Sequence, residues 1–75
     1  MAVAYILITS EVGSEVPVLK DLGDIPEIKE AHTVHGLYDI IARIETNSML
    51  ELKEAVNSKI RSIEKIRSTI TMIAN

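Results

Sequence analysis

The chain has no cysteine, no phenylalanine and no tryptophan, with two tyrosines, two prolines and three glycines among its 75 residues. Without cysteine there is no disulfide, and a structural zinc would have only two histidines to draw on. Without Phe or Trp, the core must be built from the aliphatic side chains that dominate the 47% hydrophobic content. Long apolar runs are missing too: no segment approaches the roughly 18 residues of a membrane span. The run Ala2 to Ile8 has no basic stretch ahead of it, so it does not read as a secretion signal. A cytoplasmic protein is the expectation. Positive charge is in deficit, at a formal net charge of −3, which argues against a nucleic-acid-binding surface. Lys59, Arg61, Lys65 and Arg67 do gather near the C-terminal end and read as a solvated face.

A chain of this length makes one domain. In so small a domain, apolar burial and lost chain entropy nearly cancel, and a further staple is needed. With disulfides and zinc set aside, that staple is self-association. An oligomer is therefore expected before any motif is read.

What is present is a stretch that organises the rest, Thr33-Val34-His35-Gly36-Leu37-Tyr38-Asp39. A β-branched run enters it, a glycine breaks it, and the apolar run Ile40 to Ile44 leaves it. On either side the pattern resolves into elements. Ala2 to Thr9 is apolar in both alternating sets, so both faces of that strand need cover. Ser14 suits a helix N-cap, Val18, Leu19 and Leu22 form a short helical stripe, and Gly23 is expected to close the helix as a left-handed cap. Ile25 to Val34 reads as a second strand and Tyr38 to Glu45, with a clean period of two, as a third. Ser48 and Glu51 stand at capping-box spacing, ahead of a helix with Met49, Leu52, Val56 and Ile60 as its buried stripe. Ile63 to Ile73 reads as the last strand. Its expected faces are Ile66, Ile70 and Met72 on one side and Lys65, Arg67, Thr69 and Thr71 on the other.

The order βαββαβ, with right-handed crossovers, gives a ferredoxin-like α+β sandwich, a four-stranded antiparallel sheet with both helices on one face. The other sheet face has no cover within the chain, and a second subunit is expected to supply it.

Candidate chemistry is sparse. His32 and His35 are three apart, which on a strand points them to opposite sides, and the further ligands that a metal would need are not in view. No metal site is assigned. Ser10, Ser14 and Ser48 read as turn or cap residues without an evident histidine partner, so no catalytic residue and no cofactor is assigned either. Gly36 and Asp39 admit two readings. One is a hinge glycine at positive φ with an Asp satisfying local amides. The other is a receptor, in which backbone N–H groups at Gly36 and Leu37 take a carboxylate and Asp39 takes an ammonium, the two ends of an α-amino acid. Thr69 and Thr71 add two hydroxyls on one face of the last strand.

These residues resemble those of the effector-binding domain of the Lrp/AsnC transcription regulators. The resemblance is carried by Val34-His35-Gly36-Leu37-Tyr38-Asp39, by the helix opening at Ser48 and by the closing Thr69-Ile70-Thr71, and it spans nearly the whole chain. It implies a non-enzymatic module that binds small amino acids in clefts between dimers. It further implies that Gly36, Leu37, Tyr38 and Asp39 line the cleft, that His35 flanks it and that Thr69 and Thr71 contribute from the last strand. Dimers of such domains pair sheet to sheet as a dimeric α+β barrel and close into rings, with an octamer expected. Family regulators carry a DNA-reading helix-turn-helix domain ahead of this one. The present chain starts at its first strand and resembles the stand-alone form, so full-length regulators are expected partners and direct DNA binding is not. Rival readings are an ACT-like amino-acid-binding domain, for which Gly13 is the candidate glycine, a small dimeric ferredoxin-like enzyme, and a plain assembly scaffold.

Overall fold

The computed structural model describes residues 1–74. Its elements run β1 (Ala2–Ser10), α1 (Glu15–Gly23), β2 (Ile28–Thr33), β3 (Ile40–Thr46), α2 (Met49–Ala55) and β4 (Ile66–Ala74). A π-helical segment, Val56–Ile60, prolongs α2. The fold is the ferredoxin-like sandwich, with one antiparallel sheet in the order β2-β3-β1-β4. The doubly apolar β1 lies inside that sheet, paired on both edges. Ile8 stands opposite Ile40 on one side and opposite Thr69 on the other.

Alternation along β1 and β3 divides the sheet. Ala2, Ala4, Ile6, Ile8, Ile40, Ala42 and Ile44 are buried beneath the helices, against Val18, Leu22, Leu52, Ala55 and Ile60. Each fully buried Ile, Leu or Val side chain here contributes about 1.5–3 kcal/mol by leaving water. The register puts Val3, Tyr5 and Leu7 on the other face, beside Ile41, Ile70 and Met72 of the flanking strands. That face has no cover in a single chain, and Tyr5, Ile70 and Met72 stay 41–50% exposed.

Several boundaries and faces differ from the sequence reading, each for a local reason. Gly23 does not take a left-handed conformation: α1 runs through it, and Asp24 closes the helix at φ −84°, its N–H donating to the Asp21 carbonyl and the next N–H, of Ile25, to the Leu22 carbonyl. Ser14 opens α1 without a side-chain cap bond. Ile25 is buried under the helices, but it lies in a turn before β2, which starts at Ile28 once Pro26 has passed. Tyr38 precedes β3, and Ile63 precedes β4. Met49 is more than one-third exposed and lies off the buried stripe.

The faces of β4 are changed by a bulge. Thr9 pairs with Ser68 but Ser10 with Ile66, which leaves Arg67 as an extra residue. Ile66 is thereby turned to the helix side, together with Thr69 and Thr71, and parts from Ile70 and Met72. The cap at Ser48 forms as expected, its hydroxyl accepting from Glu51 N–H at 3.2 Å. The Glu51 carboxylate reaches back one residue further, accepting from Asn47 N–H at 3.3 Å.

Candidate functional site

The turn between β2 and β3 is held at its base and free at its tip. Val34 N–H donates to the Asp39 carbonyl at 2.8 Å, closing the loop, and Asp39 N–H donates to the Ile8 carbonyl at 2.9 Å, fastening it to the sheet. Between these ties Gly36 sits at φ +135°, a conformation that side-chain-bearing residues avoid, and a Cβ built there would meet nothing within 4 Å. The need for glycine at position 36 is thus conformational, not steric. Leu37, at the tip, is 90% exposed. His35 is exposed as well, and Tyr38 is half-buried.

Asp39 has a partner that the sequence did not suggest. Its Oδ2 accepts from the backbone N–H of Ser10 at 2.9 Å and from the Ser10 hydroxyl at 3.3 Å. Ser10 is 4% exposed, so this carboxylate satisfies a buried donor at the end of β1. Both readings of Asp39 therefore retain a physical basis. One carboxylate oxygen ties the turn to the sheet, and Oδ1 has no such bond among the described residues. The only sequence signal for Ser10 was its position as the polar residue that ends the apolar run.

The two threonines lie across β1 from this turn. Thr69 stands opposite Ile8, which puts it two strand spacings, about 9.5 Å, from Ile40, with Asp39 one residue further along. Thr71 stands opposite Ile6, about a further 7 Å along the strand. Residues 35–39 form one cluster and the threonines another, at the same end of the sheet but not within one grip in a single chain. His32 and His35 do not converge. His32 lies on β2, with Nε2 3.3 Å from Glu30 Oε1, while His35 lies in the turn.

With the fold and turn geometry in view, the chain can be set beside known proteins. The family model described as the Lrp/AsnC ligand binding domain matches residues 3–75. The chain belongs to the Lrp/AsnC ligand-binding domain family. The structure called FFRP-DM1 superposes with a TM-score of 0.96 at 40% identity, covering all of both chains. Escherichia coli AsnC gives 0.91 at 27% identity, over 97% of this chain and 50% of that one. Among curated relatives, the HTH-type transcriptional regulator FL11 of Pyrococcus furiosus is 36% identical over 70 residues, 93% of this chain and 46% of the regulator. The chain spans less than half the length of such relatives. The match supports a regulatory, effector-binding role for this Lrp/AsnC domain. Relatives of known name are transcription regulators rather than enzymes.

The Lrp/AsnC domain also carries charge away from the turn. On the open sheet face Arg43 bonds Glu30 Oε2 through Nε at 2.8 Å and pairs with Glu45 through Nη1. The Arg43 guanidinium, followed by His32, holds the Glu30 carboxyl below its ordinary value. At the far end of the sheet a cleft of about 480 Å³ is lined by Met1, Pro26, Glu27, Lys29 and Glu51, among others. Glu27 there accepts two hydrogen bonds from Lys59 Nζ, at 2.7 and 2.9 Å, and that contact lowers its pKa. None of the sequence-nominated site residues borders this cleft.

Proposed function

We propose that this Lrp/AsnC domain senses small amino acids, at a site that two subunits complete together, and relays the bound state through oligomeric assembly to transcription regulation. The observation that carries the reading is the turn itself. Gly36 and Leu37 offer backbone N–H groups at an open tip, and Asp39 keeps one carboxylate oxygen uncommitted beside them. Exposed N–H groups receive a carboxylate and a carboxylate receives an ammonium, so the pair suits a zwitterion.

A neighbouring subunit is needed because the turn stands in open space and Thr69 and Thr71 lie beyond its reach. Leu37, an aliphatic side chain almost wholly in water in the single chain, fits a contact made on assembly. The uncovered apolar face of Val3, Tyr5, Leu7, Ile41, Ile70 and Met72 suits pairing with the same face of a second copy, as a self-complementary two-fold contact. Such dimers are the units of a higher ring, an octamer in our reading, and full-length regulators of the family are fitting partners. In a related fold, a Neisseria meningitidis regulator has been solved as a complex with L-Met. A ligand at a shared interface favours one assembly over another by its difference in affinity, typically about 1–3 kcal/mol.

Calorimetric titration with each of the twenty amino acids tests the proposal. At least one is expected to bind tighter than about millimolar, with Asp39→Asn weakening it at least tenfold while the fold persists. If none binds at that level, or Asp39→Asn binds like the unaltered chain, the sensing role is lost.

A further inference from the structure

We propose that the groove at the start of β4 is a phosphoryl-binding site for a small molecule, separate from the glycine turn. The groove measures about 380 Å³ and is lined by Arg61, Ile66, Arg67, Ser68 and Thr69. That volume suits a small organic ligand.

Three departures from regular backbone flank it. The first is the π-helical segment after α2. Arg61 N–H donates to the Val56 carbonyl five residues back, at 3.1 Å, so the chain here carries one residue per turn more than an α-helix. Arg61 is thereby presented about 100° away from where a continued α-helix would aim it. The second is the bulge in β4, whose extra residue is Arg67. Bulges re-aim side chains and recur beside binding sites. The third is Lys65, at φ +73°, whose carbonyl is held by Glu11 N–H at 2.8 Å. Separate irregularities thus flank one groove that Arg61 and Arg67 both border, with Thr69 on the same helix-side face.

Charge supports the same conclusion. Lys59 and Arg43 are engaged by glutamates, whereas Arg61, Lys65 and Arg67 form no ion pair among the described residues. Glu64, next to Lys65 in the chain, and Glu11, whose N–H bonds the Lys65 carbonyl, form no ion pair with them among the described residues. Three uncommitted cations in a protein of net charge −3 make a local excess, not part of a general positive field. Guanidinium groups match phosphate oxygens two at a time, and the Thr69 hydroxyl can supply a further donor. Ile66 offers apolar surface for the organic part of the ligand. The acidic balance of the whole opposes a nucleic-acid backbone, which needs charge along an extended track.

The site does not depend on amino-acid sensing, since it shares only Thr69 with the residues nominated for that role. The test uses the full chain in its assembled state, with calorimetry at constant ionic strength. Inorganic phosphate and glycerol 3-phosphate are titrated in turn, with chloride as the reference salt. Saturable millimolar binding is expected, with Arg61→Gln and Arg67→Gln each weakening it at least fivefold and Lys20→Gln on α1 leaving it unchanged. Equal affinity for the two probes identifies the free anion as ligand, and tighter binding of glycerol 3-phosphate identifies a phosphate ester. Both support the site. Heat that never saturates, or equal binding by both arginine variants, overturns it. So does a response to duplex DNA in the absence of any response to the two small probes. Loss of amino-acid binding in Asp39→Asn, with phosphate binding intact, separates this proposal from the sensing one.

Discussion

Replacing Asp39 with alanine removes the acceptor for two hydrogen bonds from Ser10. The shorter, from the backbone N–H at 2.9 Å, matters most, because Ser10 is 4% exposed and water cannot readily take the place of the lost partner. A hydrogen bond to a charged acceptor contributes about 1.5–3 kcal/mol net, and the hydroxyl bond at 3.3 Å adds little to that. The expected loss is therefore about 2 kcal/mol. For a domain of this size that corresponds to a melting temperature lower by roughly 8–16 °C. Asp39→Asn keeps a carbonyl oxygen in place and should lose about half as much. Ser10→Ala, which removes only the hydroxyl, should lose less than about 1 kcal/mol. Urea unfolding at one fixed protomer concentration is the appropriate assay, since assembly makes apparent stability depend on concentration. The contrast with function is sharp: Asp39→Asn is expected to fold nearly as well as the unaltered chain and to bind amino acids far more weakly. An Asp39→Ala protein within about 0.5 kcal/mol of the original would refute the claim that this carboxylate fastens the turn.

Other expectations follow from single contacts. Ser48→Ala should lower stability by about 1 kcal/mol in urea, through loss of the bond to Glu51 N–H. Glu27 is held below its ordinary value of 4.5 by the Lys59 ammonium, so its contribution is present above that value and lost as pH falls through the lowered pKa. Both partners are partly exposed, with 46% and 28% of their side-chain surfaces in water, so the effect is at most about 1 kcal/mol. Glu27→Gln should accordingly flatten the acid limb of a stability-against-pH curve, and an unchanged limb would count against the contact. Met72→Glu puts a charge on the uncovered sheet face and should shift light scattering from oligomer toward monomer. No shift would mean that this face stays in water.

The sandwich was readable because its evidence is periodic. The alternation of Tyr38 to Glu45 and the apolar runs in β1 follow from which faces must be dry, and the structure places both strands accordingly. Register irregularities were not readable. The bulge at Arg67 turns Ile66 to the helix side, and nothing in the residue types of Ile63 to Ile73 marks where one extra residue is absorbed. Gly23 misled for a related reason: glycine permits a left-handed cap but does not compel one, and Asp24 closes the helix in a right-handed conformation. At the site, Gly36 carried a real signal, since its φ of +135° is costly for any other residue. The Ser10–Asp39 tie joins residues 29 apart in the chain and became visible only once β1 and β3 were paired.

The position of β1 between β3 and β4 also bears on how the chain is made. A strand that is apolar on both faces is synthesised before either of the segments that flank it, residues 40–46 and 66–74. At roughly 5–20 residues per second, the delay before β4 follows β1 off the ribosome is several seconds. Until then the nascent β1 has β3 along one edge at most, and its other edge lacks the permanent neighbour that closes the sheet. Slowing translation beyond β3 should therefore raise the share of newly made chains that clump before they can close the sheet.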